Sequence, residues 1–218
     1  MRVNILASTP EPLNVLFGAA KVCRASHITE GIIRNSPHSE KESLLRNVIE
    51  SGHYSILEHV SMTFLITGLS RAASHQLVRH RIASYAQQSQ RATEARDFIK
   101  PGFRSTRANE AFDNALNAIK DATEQLEALG IPQEDIRMLY PNATQTNIVM
   151  TMNLRSLMHF WNLRLCQRAQ WEIRRLAVQM RAEAASILGS AGFLMDYVGA
   201  PCQLDGCKEK EPCGFFNS

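Results

Sequence analysis

The stretch LEHVSMTFLITGLSRAASHQLVRHR, residues 57–81, contains the change of period on which the fold turns. Val60, Met62, Phe64 and Ile66 alternate along the chain, the period of a half-buried strand. Ser70 then stands where an N-cap belongs, and Ala73, Leu77 and Val78 return at helical spacing. A strand that runs straight into a short capped helix delivers the chain to Arg79, His80 and Arg81. The next ten residues, IASYAQQSQR, end on Gln87, Gln88, Ser89, Gln90 and Arg91, all hydrogen-bond donors with no acid among them.

Outward from this centre the pattern alternates between the two periods. Residues 2–7 read as a strand, followed by a helix to Cys23 capped by Ser8 or Thr9, with Pro10 in its first turn and Leu13, Leu16, Phe17 and Ala20 on one face. Residues 36–52 read as a helix with Ser39 as cap, a stripe of Leu44, Leu45, Val48 and Ile49, and Gly52 as stop. Residues 101–107 read as a loop. A longer amphipathic helix spans 108–129, with Phe112, Leu116, Ile119, Leu126 and Leu129 on one side and Gly130 and Pro132 ending it; a short helix follows over 132–138. Residues 151–188 are helical in composition, with a break expected over 163–166 because unbroken helices of that length are rare in small domains. From Gly199 the chain reads as loop. The expected fold class is α+β: a small, mostly antiparallel sheet flanked by helices, with long C-terminal helices, residues 1–198 forming one domain and 199–218 a tail containing Cys, Gly and Pro.

Composition bounds the function. Hydrophobic residues make up 44% of 218, enough for one sizeable core, and the net charge of +3 is too small to argue for a polynucleotide partner. No apolar run reaches the length of a membrane span, and Pro10 and Pro12 interrupt the N-terminus too early for a secretory signal. The five cysteines are an odd count, and Cys23 and Cys166 lie within apolar patterns that suit reduced core thiols. The expectation is a cytoplasmic chain without structural disulfides, with neither nucleic acid nor membrane as partner.

Four groups of residues carry chemistry. Arg79, His80 and Arg81 with the donors that follow suit a phosphorylated ligand and the edge of a base; the plain alternative is a solvated helix end, where cations complement the dipole. His53, Glu58 and His59 are ligand types for zinc, but their spacing is not the helical pattern of metalloproteases, and a hydrogen-bonded Glu–His pair serves as well. Between residues 152 and 175, Arg155, Arg164, Arg168, Arg174 and Arg175 accompany Trp161 and Trp171 with Glu172 as the lone acid, which fits either a planar ligand or a core stripe backed by a basic surface. Cys202, Cys207 and Cys213 are spaced C-x4-C-x5-C, unlike a zinc knuckle, and no metal is expected. No Gly-rich phosphate loop is present, so a nucleotide must be held by side chains.

Arg79-His80-Arg81, seven residues and Ser89 resemble the signature of flavin-dependent thymidylate synthases. HYSILEH at 53–59, HQLVRHRIASY at 75–85, TMNLRSLMHFWNLR at 151–164 and AQWEIR at 169–174 resemble family segments in the family's order, over about residues 10–190. The resemblance implies conversion of dUMP to dTMP, with methylenetetrahydrofolate as one-carbon donor, reduced FAD as hydride donor and NADPH as reductant, on a homotetramer whose sites several subunits build. It places Ser55, Arg79, His80, Arg81, Asn162, Arg164 and Arg168 on FAD, and Gln76, Ser89, Arg91 and Arg174 on dUMP, with Gln87 between the two ligands. Arg174 becomes the catalytic residue, a cation at the N3–O edge of the uracil that stabilises charge as the ring is activated. Arg175, about 100° further round a helix, becomes a surface residue. Pro201-Cys202-Gln203 is assigned no catalysis, since the family needs no protein nucleophile. The chain departs from many relatives at Gln87, where they carry an acid, at Ala92, where they carry an aromatic, and at Asn147, where they carry a base. Two other classes keep a place on residue types alone: a non-enzymatic RNA- or nucleotide-binding protein using the Arg- and Trp-rich helices, and a zinc-assisted hydrolase built on His53, His59 and the tail cysteines.

Overall fold

A computed structural model describes residues 1–93, 97–207 and 209–215. Its strands are β1 (Arg2–Ser8), β2 (Ser61–Ser70), β3 (Ser84–Gln87) and β4 (Gln145–Asn153). Its helices are α1 (Pro12–Val22), α2 (Glu30–Asn35), α3 (His38–Glu50), α4 (Arg71–Leu77), α5 (Thr106–Ala128), α6 (Gln133–Ile136), α7 (Leu154–Arg164), α8 (Trp171–Leu188) and α9 (Pro201–Leu204), with 3-10 turns at Tyr54–His59, Arg137–Leu139 and Gly189–Tyr197. The strands form one antiparallel sheet in the order β1-β2-β4-β3, and the α+β class stands.

The alternation in residues 60–66 is real and is matched across the sheet. Met62, Phe64 and Ile66 pair with Met152, Met150 and Ile148, and all six are at most 1% exposed. Against this face pack α7 and α8, which bring Leu157, Phe160, Trp161, Ile173, Leu176 and Met180 into the same core. Each such side chain contributes about 1.5–3 kcal/mol on burial, so the sheet face and two helices stand or fall together. On the reverse face Thr63 and Thr151 share a hydroxyl hydrogen bond of 2.9 Å.

The β2–β4 ladder slips between Ile66 and Leu69. Gly68 sits in the slip at φ 73°, with the backbone of Met1 within 3.2 Å of where a Cβ would stand, so a side chain is excluded both by conformation and by space. Its N–H donates to Asn147 Oδ1 at 3.1 Å. Beyond the slip, Ser70 ends β2 and caps α4, its Oγ accepting from Ala73 N at 3.1 Å, as its position in the sequence predicts.

Several expectations change. Thr9 N donates to Ser61 O at 3.0 Å, so strand pairing uses Ser8 and Thr9 and delays α1 until Pro12; Glu11, not Ser8 or Thr9, stands at the cap. α3 starts at His38, one residue ahead of the expected cap Ser39, because Pro37 holds the cap position. Residues 151–153 are strand rather than helix: Thr146, Ile148, Met150 and Met152 bury one face of β4, and Asn153 caps α7 by accepting from Ser156 N at 2.9 Å. The break in the C-terminal helices spans 165–170, later than expected, with Gln170 Oε1 capping α8. β3 and α2 add to the elements expected from the sequence. α5 follows its expected course, capped by Ser105. Cys23 is exposed and Cys166 half-buried, so neither is a core thiol; all five cysteines are free. Trp161 is fully buried, as a core stripe requires, while Trp171 is 38% exposed. The tail is not all loop: α9 lies within it, and Lys208 and residues 216–218 lie outside the described residues.

Candidate active site

The turn after α4 carries the cations. Tyr85, on β3, shares its hydroxyl proton between the carbonyls of Leu77 at 3.0 Å and His80 at 2.9 Å. His80 N donates to Leu77 O at 3.0 Å. The backbone of Arg79-His80-Arg81 is thus pinned to the sheet, and burial pushes the Tyr85 hydroxyl up to about 12, so it remains a donor at neutral pH.

His80 points into α7. Its Nε2 accepts from Arg164 Nε at 3.2 Å, and its ring stands edge-on to Phe160, 5.0 Å between centroids, and to His159, 6.1 Å away. Burial, then the Arg164 charge, then His159 push His80 down to about 4. The imidazole is therefore neutral at pH 7 and acts as an acceptor. Arg164 spends its Nε on this bond and is itself held below the usual arginine range by burial. With its amide oriented so that the nitrogen donates, Asn162 reaches the carbonyls of Gly199 at 3.0 Å and Met158 at 3.2 Å.

These residues line a cleft of about 1200 Å³. Arg79, His80 and Arg81 form one wall, Arg155, His159, Asn162 and Arg164 a second, and Asp196, Tyr197, Gln203, Leu204 and Asp205 a third. Of the three acids that line it, Glu58 pairs with Arg155 at 2.5 Å and Asp196 with Arg46 at 3.0 Å, while Asp205 forms no ion pair among the described residues. Among the described residues no carboxylate pairs with Arg79, Arg81 or Arg164.

The other expected site residues lie elsewhere on the chain. Ser55 is exposed and lines a separate hollow of about 520 Å³ between α1, α2 and the 3-10 turn at Tyr54–His59. Arg168 is exposed and donates to the Glu211 carbonyl in the tail. Gln76 is half-buried on α4. Gln87 turns inward, its Nε2 donating to Ser74 Oγ at 3.0 Å and Thr146 Oγ1 at 3.3 Å. Ser89 and Arg91 are exposed beyond β3, with Arg91 paired to Glu134 at 2.8 Å. Arg174 is half-buried on the first turn of α8, its guanidinium folded back on the Gln167 carbonyl at 2.7 Å, and Arg175 is exposed as expected. Asn147 is occupied on both sides, accepting from Gly68 N and donating to Gln88 Oε1 at 3.0 Å.

Two residues that fasten the elements around the site escaped sequence reasoning. Tyr85 carries no local sign of its role. Glu172 does: it is the single acid in a run of arginines, and such an acid on a helix start is worth asking about.

A cleft that gathers three guanidiniums with no carboxylate partner among the described residues, one of them partly desolvated, beside a neutral imidazole has the chemistry to hold a multiply charged ligand through side chains. The family model described as "Thymidylate synthase complementing protein" matches residues 4–188. The flavin-dependent thymidylate synthase of Geobacter sulfurreducens is 42% identical over 96% of this chain and 91% of its own. That of Nitratidesulfovibrio vulgaris is 39% identical over 99% and 95%. Two crystal structures of the Helicobacter pylori enzyme with FAD and dUMP superpose with TM-scores of 0.72 and 0.73, at 25% and 26% identity, over 89% and 91% of this chain and 97% and 100% of theirs. The chain belongs to the flavin-dependent thymidylate synthase family.

Proposed function

We propose that this chain converts dUMP to dTMP, with methylenetetrahydrofolate supplying the carbon and NADPH the reducing power. FAD, when bound, carries the hydride. The observation that carries the reading is the set of guanidiniums at Arg79, Arg81 and Arg164, gathered in the cleft with no carboxylate partner among the described residues. A cleft of about 1200 Å³ with that charge suits a dinucleotide, and Arg164, partly desolvated and without a carboxylate partner among the described residues, calls for a counterion from outside.

In this reading Arg164 keeps its terminal nitrogens for a phosphate because His80 occupies Nε. Arg79 and Arg81 flank the same anion, Asn162 closes the wall beside the tail, and Ser55 and Arg168 complete the FAD contacts. Gln76, Ser89, Arg91 and Arg174 hold dUMP. Arg174 stabilises negative charge on the pyrimidine as it is activated. Gln87 lies between the ligands and is steadied by Ser74 and Thr146; Asn147, engaged by Gly68 and Gln88, leaves the dUMP phosphate to Ser89 and Arg91. No thiol acts as nucleophile.

One copy does not gather all these residues around one cleft, which supports a homotetramer with sites completed by neighbours. The stripe on α5 supports it too: Phe112, Ile119 and Leu126 are only half-buried and Leu129 is 75% exposed. Residues 1–198 are the enzyme's domain and 199–218 a tail whose α9 borders the cleft. No helix among the described residues is long and apolar enough to cross a membrane, and the chain works in the cytoplasm.

The test is dTMP formation followed by mass spectrometry under anaerobic conditions, with FAD, NADPH, dUMP and methylenetetrahydrofolate each omitted in turn. Product that requires both flavin and reductant is the expected result. A folded protein that binds FAD but makes none overturns the activity. A protein that binds no FAD and instead retains polynucleotide overturns the ligand class.

A further inference from the structure

Glu172 is 3% exposed, in the first turn of α8. Both of its oxygens accept from Ser70, one from the backbone N–H at 2.7 Å and one from the hydroxyl at 2.5 Å. Ser70 is the cap of α4. One buried carboxylate therefore fastens the start of α8 to the start of α4 across 102 residues of sequence.

Each of those two helices carries one of the proposed dUMP contacts. Arg174 is two residues beyond Glu172, with its N–H on the Gln170 carbonyl at 3.0 Å and its guanidinium on the Gln167 carbonyl at 2.7 Å. Gln76 lies on α4, which leads directly into Arg79. Apolar packing holds α8 against the sheet through Ile173, Leu176 and Ala177, but such contacts are non-directional. Burying a carboxylate is costly unless its oxygens meet donors, and a hydrocarbon of similar size would serve stability at least as well. What the carboxylate adds is direction: two hydrogen bonds of fixed geometry between two helix starts. A misplacement of about 1 Å at a reacting centre costs on the order of 100-fold in rate.

We propose that Glu172 is a positioning residue that sets Arg174 against Gln76 across the uracil of dUMP. The inference rests on the reading of Arg174 and Gln76 as dUMP contacts.

Glu172→Gln preserves shape and leaves one acceptor for the Ser70 N–H, but presents a donor to the Ser70 hydroxyl. The expected result is a rise of about tenfold or more in KM for dUMP, with flavin affinity and the thermal midpoint close to wild type. Ser70→Ala, which keeps the backbone bond, shifts KM the same way by less. In an Arg174→Ala background Glu172→Gln adds little, because the two act through one contact. An unchanged KM in Glu172→Gln, with Arg174→Ala crippled, overturns the positioning role and leaves the site reading intact. Effects that multiply in the double variant overturn it as well. So does a parallel loss of flavin and dUMP binding that tracks the unfolded fraction, which marks a merely structural carboxylate. Near wild-type turnover of Arg174→Ala overturns the site reading itself, and the inference with it.

Discussion

Arg46 and Arg164 are both helix arginines beside aromatic rings, and they are held in opposite ways. Arg46 has Glu42 at 2.8 Å and Asp196 at 3.0 Å, and lies 4.9 Å from the centre of the Phe193 ring. Its hydrogen bonds to Glu42, Tyr197 and Asp196 push it above the usual arginine range. Arg164 has the uncharged His80 ring as its side-chain partner, and burial pushes it below that range. The first is a cation the fold has neutralised from within. The second has no carboxylate partner among the described residues, an arrangement that fits the anion contact proposed for it.

The contrast is broken most severely by Arg164→Glu. Reversing the charge where a diphosphate is proposed to sit should weaken FAD binding by on the order of 100-fold or more, read by retention of the flavin absorbance through gel filtration. Retention of FAD by a folded Arg164→Glu protein means that the cleft is not the flavin site.

Arg174→Ala comes next. It should keep FAD and lose roughly 100-fold or more of dTMP formation, the scale of removing one charge donor from a transition state. This separates the cation proposed to act on the substrate from those proposed to hold the cofactor.

A third effect is on pH and sharpens the comparison through His80. Its folded value of about 4 lies below the ordinary 6.5, so as pH falls the unfolded chain takes up this proton first. The stability contributed by the neutral ring is complete above about 6.5 and is lost as pH falls towards 4. Thermal midpoints of wild type and His80→Asn should therefore diverge across that window, the wild-type curve being the steeper. Parallel curves would mean that the ring is solvated and free to protonate.

The smallest effects belong to the neutralised side. Arg46→Met removes exposed pairs that water already screens, so it should lower the melting temperature by a few degrees at most and leave FAD affinity unchanged. Cys202→Ser should be silent in turnover. A folded but inactive Cys202→Ser protein would bring back a thiol nucleophile and overturn the mechanism.

Much of this was legible in the sequence, for identifiable reasons. The alternation of Met62, Phe64 and Ile66 and the Ser70 cap are set by near neighbours in the chain, and both appear as expected. β4 was not legible, because QTNIVMTMN is rich in Met and Asn, and its buried face becomes visible only opposite β2. α1 starts later than the capping signal at Ser8 predicts because pairing of Thr9 with Ser61 outweighs it. The cationic turn was legible as donors without acids, but the charge of one of them was not.

By itself the sequence determined the α+β class and the order of the cationic segments, since both follow from residue type and local period. Only the tertiary structure decided that His80 is neutral, that Gln87 and Asn147 are occupied within the chain, that α9 borders the cleft, and that Glu172 joins α8 to α4. Each of these depends on desolvation or on a contact between residues that the chain's own order keeps far apart, and neither is written in any local stretch.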